Sequence, residues 1–279
     1  MKRKKSLLNN SNSSNDSSDN TKNKPKSPEE FVDLLIEGNI SNSSKIRLEK
    51  TQDIIISSPF PTDEATSEEN FDEKQVKKQL CSIIPIKDHH FIDHIINDKN
   101  NYYPNNLTIE KGIFRDTDKG MFLGVVNGTK DGFNIPKYVI DIGANNGLSI
   151  MSHNHINGLV IPSTKDMIWI PSLQSKYNPI YSPNKTGILV NSDVSLNNSI
   201  KEEIFNEYNE FMNEKEILIQ KLYPEKTKIL KDNYSGQKLK EKLKDDLYRP
   251  YFTKNHTSIA KEINKMFKEN KFKLKLYIL

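Results

Sequence analysis

Cysteine is almost absent: Cys81 stands alone in 279 residues. One thiol cannot close an internal disulfide or build a cysteine-rich zinc site. No cysteine–histidine signature surrounds it, so a buried thiol is expected and a nucleophile is not. Apolar residues are scarce too, at 34%, and the mean hydropathy is −0.71, so much of the chain is expected to be polar or disordered. No apolar run reaches the roughly 20 residues that a membrane-crossing helix needs. No signal peptide is expected either: Met1-Lys2-Arg3-Lys4-Lys5 is basic, but only Leu7-Leu8 follow before an Asn/Ser tract. These two absences predict a cytoplasmic protein with no membrane partner. Neither sign of charge dominates, with 41 Lys and Arg against 37 Asp and Glu, a net +4 and a pI near 8.8. That falls short of a nucleic-acid footprint. The basic start leaves nucleic acid permitted as a partner without indicating it.

What is present changes along the chain. Residues 1–26 are Ser, Asn, Asp and Lys, with almost nothing to bury, and are expected to be disordered. Ser27-Pro28-Glu29-Glu30 has the chemistry of a helix start, Phe31, Leu34 and Leu35 form a stripe, and Gly38 stops it. This predicts a short helix near 28–37, a candidate docking element for a protein partner. Residues 39–70 read as linker, broken by a lone strand at Asp53-Ile54-Ile55-Ile56. The expected division is an arm over 1–70, a folded domain over 71–198 and a helical extension over 199–279. Within the second, helices are predicted at Val76–Ile84 and His89–Ile96. Strands are predicted at Gly120–Val126, Tyr138–Ile142, Leu148–Ser152 and Gly187–Val190, with a loop over Trp169–Pro183. Asp116, Asp118 and Asp131 read as turn residues beside Gly120 and Gly132. In the third, helices are predicted over Ser199–Leu222, over Lys228–Leu247 with a break near Ser235-Gly236, and from a Thr257-Ser258 cap onward. The alternating Phe272–Tyr277 reads as a last strand.

The chemistry concentrates in His153-Asn154-His155-Ile156-Asn157-Gly158-Leu159-Val160-Ile161-Pro162-Ser163-Thr164-Lys165-Asp166. Residues two apart on a strand share a face, so His153 and His155 would aim at one spot and Asn154 away from it. Ser163 has the chemistry of a helix N-cap, and Asp166, three residues later, completes a capping-box pattern. An Asp in the first helical turn can face back to the strand end. Two imidazoles and a carboxylate form a nitrogen–nitrogen–oxygen set that suits zinc and leaves a fourth position open, as catalytic zinc sites do. His89, His90 and His94 invite a second metal reading. No third ligand with clear spacing accompanies them, and helix-surface histidines are expected there.

The segment resembles the JAB/MPN metalloenzyme family, whose motif reads Glu…His-x-His-x10-Asp. It is most similar to the RadC-type branch, with its H-N-H-P-S-G and P-S-x-x-D. The resemblance is strong only over residues 148–170 and departs at Ile156 and Asn157, where the branch carries Pro and Ser. It implies an α/β fold with a mixed, mainly antiparallel sheet flanked by helices. It implies zinc held by His153, His155 and Asp166, and amide hydrolysis of a peptide or protein substrate. It also implies an upstream glutamate as general base, for which Glu110 is the candidate and Asp141 the runner-up. Ser163 matches the family serine that stabilises the oxyanion. On this reading the C-terminal helices would gate the site and the loop over 171–186 would cover it. Two alternatives accompany the resemblance: a non-catalytic scaffold or structural subunit, for example of a phage or mobile element, and a RadC-like DNA-associated accessory protein.

Overall fold

The computed structural model describes residues 72–279 apart from 105, 117–119, 131, 184, 194–195 and 197. The expected arm, its helix near 28–37, the strand at 53–56 and the turn residues Asp118 and Asp131 lie outside the described residues.

The described chain is α/β, with a six-stranded sheet in the order β2-β1-β3-β4-β5-β6. The strands are β1 (Lys111–Asp116), β2 (Phe122–Asn127), β3 (Leu148–Asn154), β4 (Ser175–Tyr181), β5 (Thr186–Asn191) and β6 (Leu274–Ile278). Only β3 and β4 run parallel; every other neighbouring pair is antiparallel. The mixed, mainly antiparallel sheet flanked by helices is therefore present.

Helices α1 (Glu73–Ile83) and α2 (His90–Tyr102) cover one face of the sheet. Their Leu80, Ile92 and Ile95 pack with Ile113, Ile150, Tyr177 and Ile188 of the strands. The opposite face carries α3 (Lys137–Asn146), α4 (Asp166–Ser172), α5 (Asn198–Leu222), α6 (Pro224–Asn233), α7 (Gly236–Leu243) and α8 (Arg249–Glu269). One apolar cluster there joins Phe114, Met151 and Leu189 of the sheet to Tyr208, Ile263 and Phe267 of the later helices. No described helix is long and apolar enough to cross a membrane.

Four expectations are corrected. Tyr138–Ile142 is helical, not a strand, as part of α3. Pro136 precedes it with φ set for a helix start, and Gly147 (φ 75°) ends it in a conformation that few other residues accept. The stretch expected to be loop, 169–183, instead completes α4 and forms β4, in the middle of the sheet. It therefore does not form a cover over the site. Cys81 is exposed, because Val76 and Leu80 take the inward face of α1. In addition, Thr257-Ser258 lies inside α8, which starts at Arg249 and is interrupted at Asn255 (φ −109°, ψ 17°).

Candidate metal centre

β3 is buried along its whole length, and its last residues carry the motif. His153 lies opposite Gly112 of β1 and beside Ile180 of β4. The His155 N–H donates to Tyr181 O at 2.9 Å, so the ladder extends one residue past the strand and both imidazoles keep the same face. The loop after His155 is pinned from outside: the Tyr208 hydroxyl of α5 donates to Pro162 O at 2.6 Å. The loop then delivers Asp166 as the first residue of α4. The capping pattern is reciprocal. The Ser163 N–H donates to Asp166 Oδ2 at 2.6 Å, and the Asp166 N–H donates to Ser163 Oγ at 3.2 Å.

The three side chains meet. Nε2 of His153 and Nε2 of His155 are 3.1 Å apart. Asp166 presents Oδ1 to His153 at 3.3 Å and Oδ2 to His155 at 3.4 Å. Ligand atoms on a tetrahedral zinc, at bond lengths of about 2.0–2.1 Å, stand about 3.3–3.4 Å apart. All three residues are buried, at 1%, 6% and 8% exposure. Among the described residues, no other group of three or more His, Cys, Asp or Glu side chains could hold an ion.

The chemistry of the donors agrees with the distances. His155 Nδ1 is 3.2 Å from Leu159 O. A carbonyl only accepts, so Nδ1 carries the hydrogen and Nε2 turns a lone pair to the centre. Neutral imidazole nitrogens and a carboxylate gathered in a buried space want a cation among them. Burial pushes the Asp166 carboxyl up, but in the absence of an ion the attraction and hydrogen bonds of His153 and His155, when these carry protons in the cation's place, outweigh it and hold the group well below the ordinary carboxylate range. The residues present thus fit a divalent ion. One detail fits less well: His153 Nδ1 is buried with no hydrogen-bond partner, where a ligand histidine usually has an orienting acceptor.

Glu110 sits one residue before β1. Its N–H donates to Thr129 O and its carbonyl accepts from Gly128 N–H, both at 2.8 Å. Side chains alternate along a strand, so Glu110 shares a face with Gly112, which pairs with His153. Glu110 lines the same cleft as His155, Ser163 and Asp166. Gly112 is small for a reason: a β-carbon there would sit 2.5 Å from the Phe133 ring. Phe133 can thereby lie beside His153, with ring centroids 6.1 Å apart. Asp141 is corrected as a candidate base. It is exposed on α3, pairs with Lys137 at 3.4 Å and is no part of the cleft wall.

Two contributions escaped the sequence. Asn154 does turn away from the ion site, but not into idleness. Its Oδ1 accepts from Lys111 N–H at 2.7 Å, and its Nδ2 donates to Ile109 O at 3.2 Å. The amide therefore straps both neighbours of Glu110. The second is the far wall of the cleft, built from α5, α8 and the π-helical turn Lys244–Tyr248 between α7 and α8. The resemblance led the C-terminal helices to be expected at the site, but no local signal shows which of their residues line it. Of the other histidines, only His90 is exposed: His89 is half-buried just before α2 and bonds to Ile84 O at 3.0 Å, and His94 is half-buried on α2. No family model, curated protein or solved structure matches the chain.

Proposed function

We propose that the protein is a zinc-dependent metallopeptidase or isopeptidase of JAB/MPN type that hydrolyses an amide bond in a peptide or protein. The observation that carries the reading is the convergence of His153, His155 and Asp166 on one point beside a cleft that His155, Asp166, Glu110 and Ser163 line. The order Glu…His-x-His…Asp, with its spacing, matches that family's motif. A mixed sheet whose central strand ends in the two histidines is what such a domain requires.

Zinc, when bound there, supplies Lewis acidity and brings the pKa of water to about 7. The rest falls to side chains of this protein. His155 is held as the Nδ1–H tautomer by Leu159 O, which keeps Nε2 basic. Glu110 takes the proton of the attacking water and returns it to the leaving amine. Ser163 Oγ accepts from Asp166 N–H, so its own hydrogen is left to donate to the developing oxyanion. Phe133 and Met151 line the cleft beside these polar groups and restrict water.

A scaffold role draws support from one observation, the missing partner on His153 Nδ1. Metal analysis separates the readings. Wild type is expected to carry a single zinc and His155→Ala none; zinc in both or in neither removes the site. Glu110→Gln is expected to keep zinc and lose amide cleavage across a tagged-peptide panel. A zinc-loaded wild type that cleaves no member of that panel favours the scaffold.

A further inference from the structure

The wall facing the metal centre is a separate source of information about the substrate. The cleft encloses about 360 Å³. That is near the low end of ligand pockets, which run from about 300 to 1,000 Å³. It has room for one or two side chains and none for a folded surface. The wall has an apolar part and a cationic part. Trp169 of α4, Met212 of α5, Tyr248 at the end of the π-helical turn and Phe252 in the first turn of α8 supply the first. Tyr248 is fixed there, because Gln220 Nε2 donates to its hydroxyl at 2.6 Å. Lys244 and Arg249 supply the second.

The charges on that wall are unequal in effect. The carboxylate lining it is Glu216, and burial pushes its carboxyl up, toward the neutral form, against the pull of Lys244. Arg249 pairs with Asp245 through Nη1, but its Nε is buried with no acceptor. Lys130 and Lys165 add two exposed ammonium groups at the rim.

From these observations we infer that the cleft takes an extended peptide segment with a large apolar side chain beside the scissile amide and a carboxylate next to it. The apolar side chain seats against Trp169, Met212 and Phe252, and the carboxylate meets Lys244 and Arg249. That carboxylate comes from an acidic side chain or from a chain end. The inference rests on the zinc-hydrolase reading and extends it to a substrate class.

Calorimetric binding of hydroxamates to the zinc-loaded full chain tests it without turnover. Acetohydroxamate probes the metal alone. A phenylalanyl hydroxamate amide adds the apolar group. Two further probes add a carboxylate, one as a glutamyl side chain and one as a free C-terminus. The phenyl group is expected to tighten binding about tenfold or more. The better-placed carboxylate is expected to add roughly threefold more, as a partly exposed ion pair does. Phe252→Leu should lose most of the first gain, and the exposed Lys244→Glu should lose the second while folding normally. If acetohydroxamate does not bind, the metal reading falls and takes the substrate class with it. If it binds and the extended probes bind no tighter, the substrate class alone falls. Whichever carboxylate arm gains affinity names the source.

Discussion

Asn154 stands between the two ligand histidines, yet its bonds run sideways to Ile109 O and Lys111 N–H. A buried amide that satisfies both a donor and an acceptor on the adjacent segment fixes that segment's path. The residue in between is Glu110. Asn154→Ala is therefore expected to leave zinc content unchanged while the Lys111 amide exchanges with solvent faster. Turnover should fall about 10- to 100-fold, the scale seen when a group supporting a metal site is removed. An Asn154→Ala variant with wild-type exchange at Lys111 would show that the strap is dispensable. At this scale the sequence was informative. Period-two alternation brought His153 and His155 to one face, and the capping chemistry of Ser163 anticipated where Asp166 would turn. The role of Asn154 was not legible, because it depends on the register between β1 and β3, which no single segment specifies.

Elements were legible where their periodicity was unopposed. The long helix α5 and the last strand appear close to their expected places. Tyr138–Ile142 misled because its β-branched and aromatic residues favour a strand. The helical signal lay in spacing instead: Val139 and Gly143, four apart, are the buried pair, and Gly143 packs against Leu173. β4 misled in another way. Its Ser, Tyr, Asn and Pro look like loop residues, yet nearly all are buried. Several of their polar atoms find partners: the Tyr181 hydroxyl donates to Ile95 O and Asn178 Nδ2 donates to Leu189 O, whereas Ser175 Oγ and Asn178 Oδ1 are buried without one. Helix α2 meets the sheet through a similar polar tie. Arg115 of β1 donates from Nε and Nη2 to the two oxygens of Asp98, at 3.0 and 2.5 Å, and from Nη1 to Gly120 O at 2.9 Å. The Asp98 side chain is fully buried and that of Arg115 nearly so. Asp98→Ala strands the guanidinium and is expected to cost about 3–5 kcal/mol in urea denaturation.

At the scale of the molecule, the two faces of the sheet carry different chemistry. The face under α1 and α2 has its own charged tie, remote from the metal centre. Lys176 Nζ and the Tyr177 hydroxyl both donate to Asp88 Oδ2, at 2.6 and 2.7 Å. Burial pushes the Asp88 carboxyl up, but the lysine and tyrosine bonds prevail and hold it below its ordinary value of 3.8. A depressed folded-state value means that the stabilisation is complete above the unfolded value and disappears as pH falls through the folded one. Metal-free wild type is thus expected to exceed Asp88→Asn in urea midpoint at pH 7, with the gap narrowing below about pH 4.

The other face has no boundary between the motif region and the C-terminal third of the chain. β6 pairs with β5 from Gly187–Ile278 to Asn191–Leu274, so this late strand forms one edge of the sheet whose other edge is β2. The cluster containing Phe114 and Met151 also contains Tyr208, Ile263 and Phe267. A core shared in this way should not unfold in parts. Trp169 is the sole tryptophan and lines the cleft between the motif loop and the later helices. Its fluorescence reports on that junction, while far-ultraviolet circular dichroism reports on all the helices. The two signals are expected to follow one urea transition. Phe267→Ala, at a fully buried ring far along the chain, should shift both together by about 3–5 kcal/mol. If the dichroism moved and the tryptophan signal stayed, the later helices would be melting separately from the motif region, and the cleft would depend on a docking equilibrium instead of a common core.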